Sequence, residues 1–265
     1  MEIKLKPKNI IVVGGGGGIG YATAQRLLDG GATNVVLASR NIEKLKSAAK
    51  SLHYGKDQHI YSEVFDIQNV KDHIQQIVSI ENTIKKDFPN EYIDGLVISS
   101  GVNFDGSNWK GFNISEADWD RVMDINLKGV FFLIRNFANH LHAANRKGNI
   151  CVVSSISAHR DLLSVYQVTK HSISRIVHAY GKYLCERGIV LNCVEPGVVA
   201  TDMMPHLKAY TDGVNPGKPW PDSSIKRVIR AEEIAEVIYL LMSNIGEILS
   251  GSCVLCGGGT KALYP

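Results

Sequence analysis

The sequence contains no hydrophobic run long enough to cross a membrane or to act as a secretion signal. After a basic start at residues 1–8, only four apolar residues, 10–13, precede a run of glycines. A signal peptide needs about 7–15 apolar residues, and a spanning helix needs about 20. We therefore expect a cytoplasmic protein without a membrane partner.

An excess of charge of either sign is also missing. Lysine and arginine total 29 against 26 aspartates and glutamates, which gives a formal net charge of +3. Dedicated nucleic-acid binders carry a marked positive excess that neutralises phosphates. The composition therefore excludes that class of function.

Cysteine is scarce and odd in number, five among 265 residues. Cysteines inside apolar stretches are typical of buried reduced thiols. Cys253 and Cys256 have CxxC spacing, but their short apolar run predicts a strand, where residues three apart point to opposite faces. We expect His140 and His142 to be solvated. The sequence therefore predicts no metal site.

Two patterns alternate along the chain. Short β-branched runs predict strands, and the longer segments between them have the period of helices. Strands that are apolar on both faces and separated by helices form parallel sheets covered on both sides. We predict one α/β domain, a doubly wound Rossmann fold with a seven-stranded parallel sheet. The predicted strands are 10–13, 35–37, 60–65, 96–98, 150–153, 190–194 and 253–255, and the predicted helices are 21–28, 42–52, 70–88, 116–143, 165–187 and 231–242.

Five consecutive glycines follow the first predicted strand. Glycines at a strand-to-helix turn let the backbone approach a pyrophosphate, whose charge then meets the helix N-terminus. Two registers fit, Gly15-x-Gly17-x-x-Gly20 and Gly14-x-x-x-Gly18-x-Gly20. Both predict a dinucleotide site.

The end of the second strand indicates which dinucleotide binds. An NAD site places an acid here to hold the ribose 2′-hydroxyl, but no carboxylate occurs before Glu43. Ser39 and Arg40 offer a donor and a cation instead, which suit a 2′-phosphate. We predict NADP(H), with NAD(H) as the less favoured cofactor.

A tyrosine and a lysine lie four residues apart on a predicted helix. Tyr166 and Lys170 therefore share one helix face. A phenol is a poor base at neutral pH, and a nearby ammonium favours its ionised form. Upstream, Ser154 and Ser155 end the fifth strand at the sheet edge where α/β folds bind ligands.

These motifs together resemble the classical short-chain dehydrogenase/reductase family over about residues 9–258. The family motif TGxxxGIG is similar to Val13-Gly14…Gly18-Ile19-Gly20, and WDxxxxxNxxG is similar to Trp119-Asp120…Asn126…Gly129. YxxxK corresponds to Tyr166 and Lys170, and the family serine to Ser155, with Ser154 as the alternative. NxVxPGxVxTD corresponds to residues 192–202.

The resemblance implies a division of roles. Hydride would pass between the nicotinamide and a carbonyl carbon, Tyr166 would be the acid or base, and Ser155 would bind the same oxygen. Lys170 would hold the nicotinamide ribose, and Asn126 would fix a water beside it. The implied cofactor contacts are Gly14, Gly16, Gly17, Gly18, Ile19, Gly20, Ser39, Arg40, Asp66, Ile67, Ser100, Gly101, Tyr166, Lys170, Pro196, Gly197, Val199 and Thr201.

Several positions depart from the family pattern without touching the four catalytic residues Asn126, Ser155, Tyr166 and Lys170. Val13 replaces a threonine, and Gly16 and Gly17 replace residues that are often serine. The segment 98–101 reads ISSG instead of NNAG, and Cys256 replaces the aspartate of DGG. We interpret the chain as a divergent but active member.

The substrate is less well indicated. Residues 203–228 break the alternation and are predicted to form a substrate loop or lid. His159 is a candidate substrate contact. Positive charge gathers in and after this loop, which favours either an anionic substrate or an ordinary solvated face. The residues concerned are Lys208, Lys218, Lys226, Arg227 and Arg230.

Three functions remain open. The favoured one is a reductase or dehydrogenase of a small-molecule or acyl-thioester carbonyl or secondary alcohol. A specific form is a 3-oxoacyl carrier protein reductase, for which the resemblance implies carrier contacts at Arg146 and Arg187. The third is a non-catalytic, NADP-sensing regulator. The family resemblance also implies a homo-oligomer, a tetramer or dimer.

Overall fold

The computed structural model describes residues 2–103, 114–160, 164–201 and 224–260. Its strands are β1 (Asn9–Val13), β2 (Asn34–Ser39), β3 (His59–Val64), β4 (Gly95–Ile98), β5 (Gly148–Val153), β6 (Ile189–Pro196) and β7 (Cys253–Cys256). They form one parallel sheet in the order β3-β2-β1-β4-β5-β6-β7. The predicted doubly wound sheet is confirmed, with strand ends within two residues of the prediction.

The helices are α1 (Gly18–Asp29), α2 (Ile42–Ser51), α3 (His73–Asp87), α4 (Glu116–Met123), α5 (Val130–Ala143), α6 (Val165–Cys185) and α7 (Ala231–Leu241). Two predicted helices are not uniform. A 3₁₀ turn at Val70–Asp72 precedes α3, and a π-helical segment at Asp124–Gly129 joins α4 to α5. Hydrophobic periodicity does not distinguish these local changes of winding from a regular helix.

The sheet separates two apolar cores because successive strand residues face opposite sides. Ile11 and Val13 of β1 face a core built with α3, α5 and α6, whereas Ile10 and Val12 face a core built with α1, α2 and α7. Double coverage explains why the strands are apolar throughout. Cys253 packs against the first core and Cys256 against the second, so the predicted opposite orientation of the two thiols is confirmed.

The strand order reverses at β1. Its neighbours are β2 on one side and β4 on the other, so the chain leaves these strands toward opposite faces. Such a switch point opens a crevice at the carboxyl ends of the strands. Among the described helices, none combines the length and apolarity needed to cross a bilayer.

Candidate functional site

A cleft of about 640 Å³ lies along the carboxyl edge of the sheet. All but two of the residues predicted for the site line it. These are Gly14, Gly16, Gly17, Gly18, Ile19, Ser39, Arg40, Asp66, Ile67, Ser100, Gly101, Ser155, Tyr166, Lys170, Pro196, Gly197, Val199 and Thr201. The two exceptions, Gly20 and Asn126, lie directly behind the lining.

The glycine turn is shaped by two close approaches. Gly14 has φ +90°, and a Cβ there would lie 2.8 Å from the backbone nitrogen of Ser100. A Cβ on Gly20 would overlap the carbonyl oxygen of Gly14. Gly18 also has a positive φ of +52°, whereas neither Gly15 nor Gly17 has a left-handed backbone conformation, so the backbone favours the Gly14-x-x-x-Gly18-x-Gly20 register. Despite the departure from NNAG, β1 and β4 remain tied, since Ser99 N donates to Val13 O at 2.8 Å.

The far end of the cleft collects polar and positive groups after β2 and β3. Arg40 donates through Nη1 to Gln68 Oε1 at 3.3 Å, and Asp66 accepts the backbone N–H of Gln68 at 3.1 Å. Lys44 also lines the cleft, a residue that the motifs did not indicate. Asn41 caps α2 by accepting from Lys44 N, and this cap, visible in the sequence, places Lys44 in the first turn.

The two adjacent serines have different surroundings. Ser154 Oγ donates to Lys170 O at 3.1 Å and lies 3.1 Å from Ser174 Oγ, so its hydroxyl belongs to an interior network. Ser155 Oγ accepts from Ser157 N at 3.1 Å and begins the 3₁₀ helix Ile156–His159. Accepting one bond leaves the Ser155 hydroxyl proton for a ligand in the cleft.

Tyr166 and Lys170 are brought together by the start of α6. Ser164 caps this helix by accepting from Gln167 N, which puts Tyr166 in the first turn. Lys170 Nζ lies 5.5 Å from the centroid of the Tyr166 ring and donates to Val153 O at 3.0 Å. Lys170 is only 5% exposed. Among the described residues this is the ammonium's single hydrogen-bond acceptor, which leaves two N–H groups for a bound molecule.

Asn126 lies in the π-helical segment, 1% exposed. Its Oδ1 accepts from Val102 N at 2.9 Å, and its Nδ2 donates to Val102 O at 2.7 Å. Both Asn126 Oδ1 and Lys170 Nζ lie 3.6 Å from the point where a Cβ on Gly101 would stand. The amide therefore fixes the segment after β4 beside the ammonium, and π segments of this kind often occur at functional sites.

A buried carboxylate behind the cleft was not anticipated from the sequence. Glu195 of β6 is 1% exposed; Ser174 Oγ donates to its Oε1 at 2.6 Å, and His159 Nε2 lies 2.5 Å from its Oε2. His159, a candidate substrate contact, thus has this ring nitrogen engaged by Glu195. A carboxylate in a strand that is apolar apart from Asn192 is the signal that could have revealed the pair.

Glu195 also lies near two thiols. Cys193, Glu195 and Cys253 each offer a ligand atom within 4.8 Å of the others, the one such group found among the described residues. Burial raises the pKa of the Cys193 thiol well above its usual value. Metals bind the deprotonated thiolate, so a thiol with a raised pKa is poorly suited to be a metal ligand. That the protein has no metal site stays a prediction.

The predicted positive cluster near the lid is partly neutralised. Arg227 pairs with Glu233 at 2.6 Å, and Arg230 approaches the same carboxylate at 3.8 Å. The hydrogen bonds from Arg227 lower the pKa of Glu233 to about 2. Lys208 and Lys218 lie outside the described residues, as do positions 203–223 of the predicted lid.

Comparison with known proteins shows the family to which the chain belongs. Residues 8–211 match the model of the short chain dehydrogenase family. The chain belongs to this family. It is therefore an oxidoreductase that acts on alcohol or carbonyl groups with a nicotinamide dinucleotide, NAD(P).

Similar proteins span nearly the whole chain. A 3-oxoacyl-[acyl-carrier-protein] reductase of Aquifex aeolicus is 28% identical over 273 residues, covering 98% of this chain and 99% of that protein. Levodione reductase of Leifsonia aquatica is 28% identical over 267 residues, covering 96% and 94%. A short-chain type dehydrogenase/reductase from Mycobacterium marinum superimposes with a TM-score of 0.79 at 22% identity, covering 99% and 98%. The last similarity is one of fold.

Proposed function

We propose that this protein is an NADP(H)-dependent reductase or dehydrogenase of a carbonyl or secondary alcohol in a small molecule or acyl thioester. One observation carries the proposal. A buried ammonium with unused donors, Lys170, lies beside the Tyr166 ring in the cleft that Ser155 also lines. The bound nicotinamide would accept or supply the hydride.

The chain's own residues would manage the proton and the charge on the substrate oxygen. Tyr166 donates a proton to that oxygen in reduction and removes it in oxidation. Ser155 donates a hydrogen bond to the same oxygen and stabilises its developing charge. Lys170 binds the nicotinamide ribose and keeps a positive charge near the phenol, while Asn126 holds the segment after β4 and a water next to Lys170.

The residues of the cleft fit the cofactor. The turn at Gly14 leaves no room for a Cβ against Ser100, so the glycine turn packs closely on the segment after β4. Gly16, Gly17 and Gly18 line the cleft, where glycines let a pyrophosphate approach the backbone. The predicted contacts Ser39 and Arg40, with Lys44 added, form the end where a ribose 2′-phosphate would bind. A carboxylate at the end of β2 would repel a 2′-phosphate and bind the free 2′-hydroxyl of NAD. β2 ends without a carboxylate. This supports NADP(H) over NAD(H).

A spectrophotometric assay tests the proposal. The purified protein is given NADPH or NADH with a panel of ketones and 3-oxoacyl thioesters, and loss of absorbance of the reduced cofactor is followed. We expect turnover with NADPH and a lower kcat/KM with NADH. Equal or better turnover with NADH would contradict the cofactor assignment. NADPH binding without turnover of any substrate would favour the sensing regulator.

The narrower activity of a carrier protein reductase receives no support from its two arginines. Arg146 donates to Glu81 at 3.0 Å and stacks on Tyr92, with its guanidinium carbon 4.5 Å from the ring centroid. Arg187 donates to Tyr183 O at 2.7 Å. Both side chains have intramolecular partners, so the broader activity is the one we propose.

We also propose a homo-oligomer in the cytoplasm. Tyr180 and Tyr183 of α6 are 42% and 51% exposed, and Leu255 of the edge strand β7 is 43% exposed. Large apolar groups gathered on one helix and on an open sheet edge are typical of subunit contacts. Light scattering would give the mass of the assembly.

A further inference from the structure

One arginine at the reaction end of the cleft has no anionic partner among the residues that the structure describes. Arg160 lines the cleft, is half-buried, and forms no ion pair or side-chain hydrogen bond with any described residue. A guanidinium carries its charge at any physiological pH. Leaving it half-buried and unpaired is costly, which points to a ligand that supplies the missing anion.

Arg160 lies between the two residues that flank the reaction. It follows the 3₁₀ helix Ile156–His159, which Ser155 caps, and it precedes Tyr166 by six positions in the sequence. A 3₁₀ helix rises about 2 Å per residue, so the five steps from Ser155 through the helix to Arg160 span roughly 10 Å. Its side chain can therefore reach a group several bonds from the reacting carbon.

The backbone that carries Arg160 is held from three directions. Ser155 caps the start of the 3₁₀ helix, Glu195 pairs with His159, and His171 Nδ1 lies 3.0 Å from Ala158 O. A short helix fixed at both ends presents the following side chain in a defined position. This preorganisation is what a binding arginine requires.

The other charged groups at this end, Lys170 and Glu195, form no ion pair with Arg160. Lys170 donates to Val153 O beside the phenol, and both oxygens of Glu195 are hydrogen-bonded behind the lining. Among the described residues that line the cleft, the sole acid is Asp66, which follows β3 at the far end. No carboxylate of the described chain therefore neutralises Arg160 where the substrate would bind.

We propose that Arg160 binds an anionic oxygen group of the substrate, so that the enzyme prefers carbonyl compounds carrying a carboxylate or phosphate several bonds from the reacting carbon. The inference rests on the proposed function, because it assumes that the carbonyl is reduced between Ser155 and Tyr166. Guanidinium groups suit both anions, since two parallel N–H donors match two oxygens.

The test compares matched charged and neutral substrates. With NADPH, kcat/KM is measured for 4- and 5-oxo acids of six to eight carbons beside their methyl esters, and for dihydroxyacetone phosphate beside dihydroxyacetone. We expect at least one anionic member to exceed its neutral partner by about 10- to 100-fold, and the preferred pair identifies carboxylate or phosphate. Neutral members equal to or better than their anionic partners throughout would overturn the inference.

Variants separate recognition from folding. Arg160→Gln is expected to bring the anionic-to-neutral ratio close to one, and Arg160→Lys to retain part of it, since charge remains but the paired donors are lost. Arg175→Gln, on an exposed position of α6 outside the cleft, is the matched control and should keep the ratio. An unchanged ratio in Arg160→Gln would refute the role of Arg160.

A binding measurement distinguishes failure of this inference from failure of the proposed function. The oxo acids and their methyl esters are titrated by calorimetry into the protein saturated with NADPH, and their dissociation constants are compared. If no substrate is turned over, the proposed activity fails; tighter binding of the acids, lost in Arg160→Gln, still supports the anion site. Acids that bind no better than their esters would overturn it.

Discussion

The two ends of the parallel sheet use the same kinds of side chain in opposite ways. At the amino end, Glu81 of α3 accepts from Lys85 at 2.5 Å, His140 at 3.1 Å and Arg146 at 3.0 Å. At the carboxyl end, Lys170 and Arg160 keep donors that no described residue uses. Charges that satisfy one another hold helices and strands together, whereas charges left with unused donors indicate where a ligand binds.

The closed network at the amino end keeps its central carboxylate ionised. Burial by itself raises the pKa of Glu81, but hydrogen bonds from His140, Lys85 and Arg146 together hold that pKa well below its usual value. Ile93 N also approaches the carboxylate, at 3.4 Å. Glu81 therefore connects α3, α5 and the segments before β4 and β5.

Replacing Glu81 should cost stability rather than activity. We expect Glu81→Gln to lower the free energy of unfolding by about 2 kcal/mol, because Lys85, Arg146 and His140 lose the carboxylate that accepts their hydrogen bonds. This corresponds to roughly a 30-fold larger unfolding constant. Urea unfolding measures it, and kcat of the folded enzyme should stay within about twofold.

The matched control is a carboxylate in an exposed ion pair. Glu43 pairs with Lys46 at 3.1 Å on the surface of α2, and Glu43→Gln should cost less than about 0.5 kcal/mol. If the two variants were equally stable, the Glu81 network would not differ from a surface pair.

Replacing a cation at the carboxyl end should weaken cofactor binding and leave stability nearly unchanged. We expect Arg40→Ala to weaken NADPH binding about tenfold, the loss of one charge-assisted contact, and to leave NADH binding and unfolding nearly unchanged. Fluorescence titration of both cofactors measures this. Arg187→Ala, remote from the cleft, serves as the control, and an equal loss for both cofactors in Arg40→Ala would argue against a 2′-phosphate contact.

A further prediction concerns the pH dependence of stability at the amino end. Burial raises the pKa of Asp94 from 3.8 to about 6, although the N–H groups of Lys8 and Asn9 donate to its carboxylate. The folded state thus binds the proton more tightly than the unfolded state. Its contribution to stability is fully present below about pH 4 and is lost as the pH rises through 6.

Asp94→Asn removes this titration. Across pH 4 to 6.5, the unfolding free energy of the wild type should fall by about 2 kcal/mol relative to the variant, as measured by urea unfolding at several pH values. Asp57→Asn, at an exposed position, should show no such trend. A constant difference between wild type and Asp94→Asn would refute the assignment.

Local patterns predicted the sheet and most of the cleft because they report local physics. Alternating apolar runs fix strands that are buried on both faces, and closely spaced glycines fix the turn after β1. Motifs such as Tyr166-x-x-x-Lys170 lie within one helix turn. Each of these signals is contained in a few consecutive residues, so a single sequence was sufficient.

Pairings between distant segments were not predictable in this way. His140 was expected to be solvated, and this was wrong, because it meets Glu81 across 59 residues of sequence. Glu195 and His159 lie 36 residues apart. Arg160 is a candidate anion-binding residue only because no described acid pairs with it, which the sequence does not show. The identity of a side chain's partner depends on tertiary packing, which no local pattern contains.

The central claim is that the Tyr166 hydroxyl transfers the proton to the substrate oxygen. The most direct test is Tyr166→Phe, with kcat measured at saturating NADPH and ketone and the NADPH dissociation constant measured alongside; exposed Tyr54→Phe is the control. We predict a loss of at least about 100-fold in kcat with cofactor affinity within about twofold of wild type. Retained turnover in Tyr166→Phe would contradict the account.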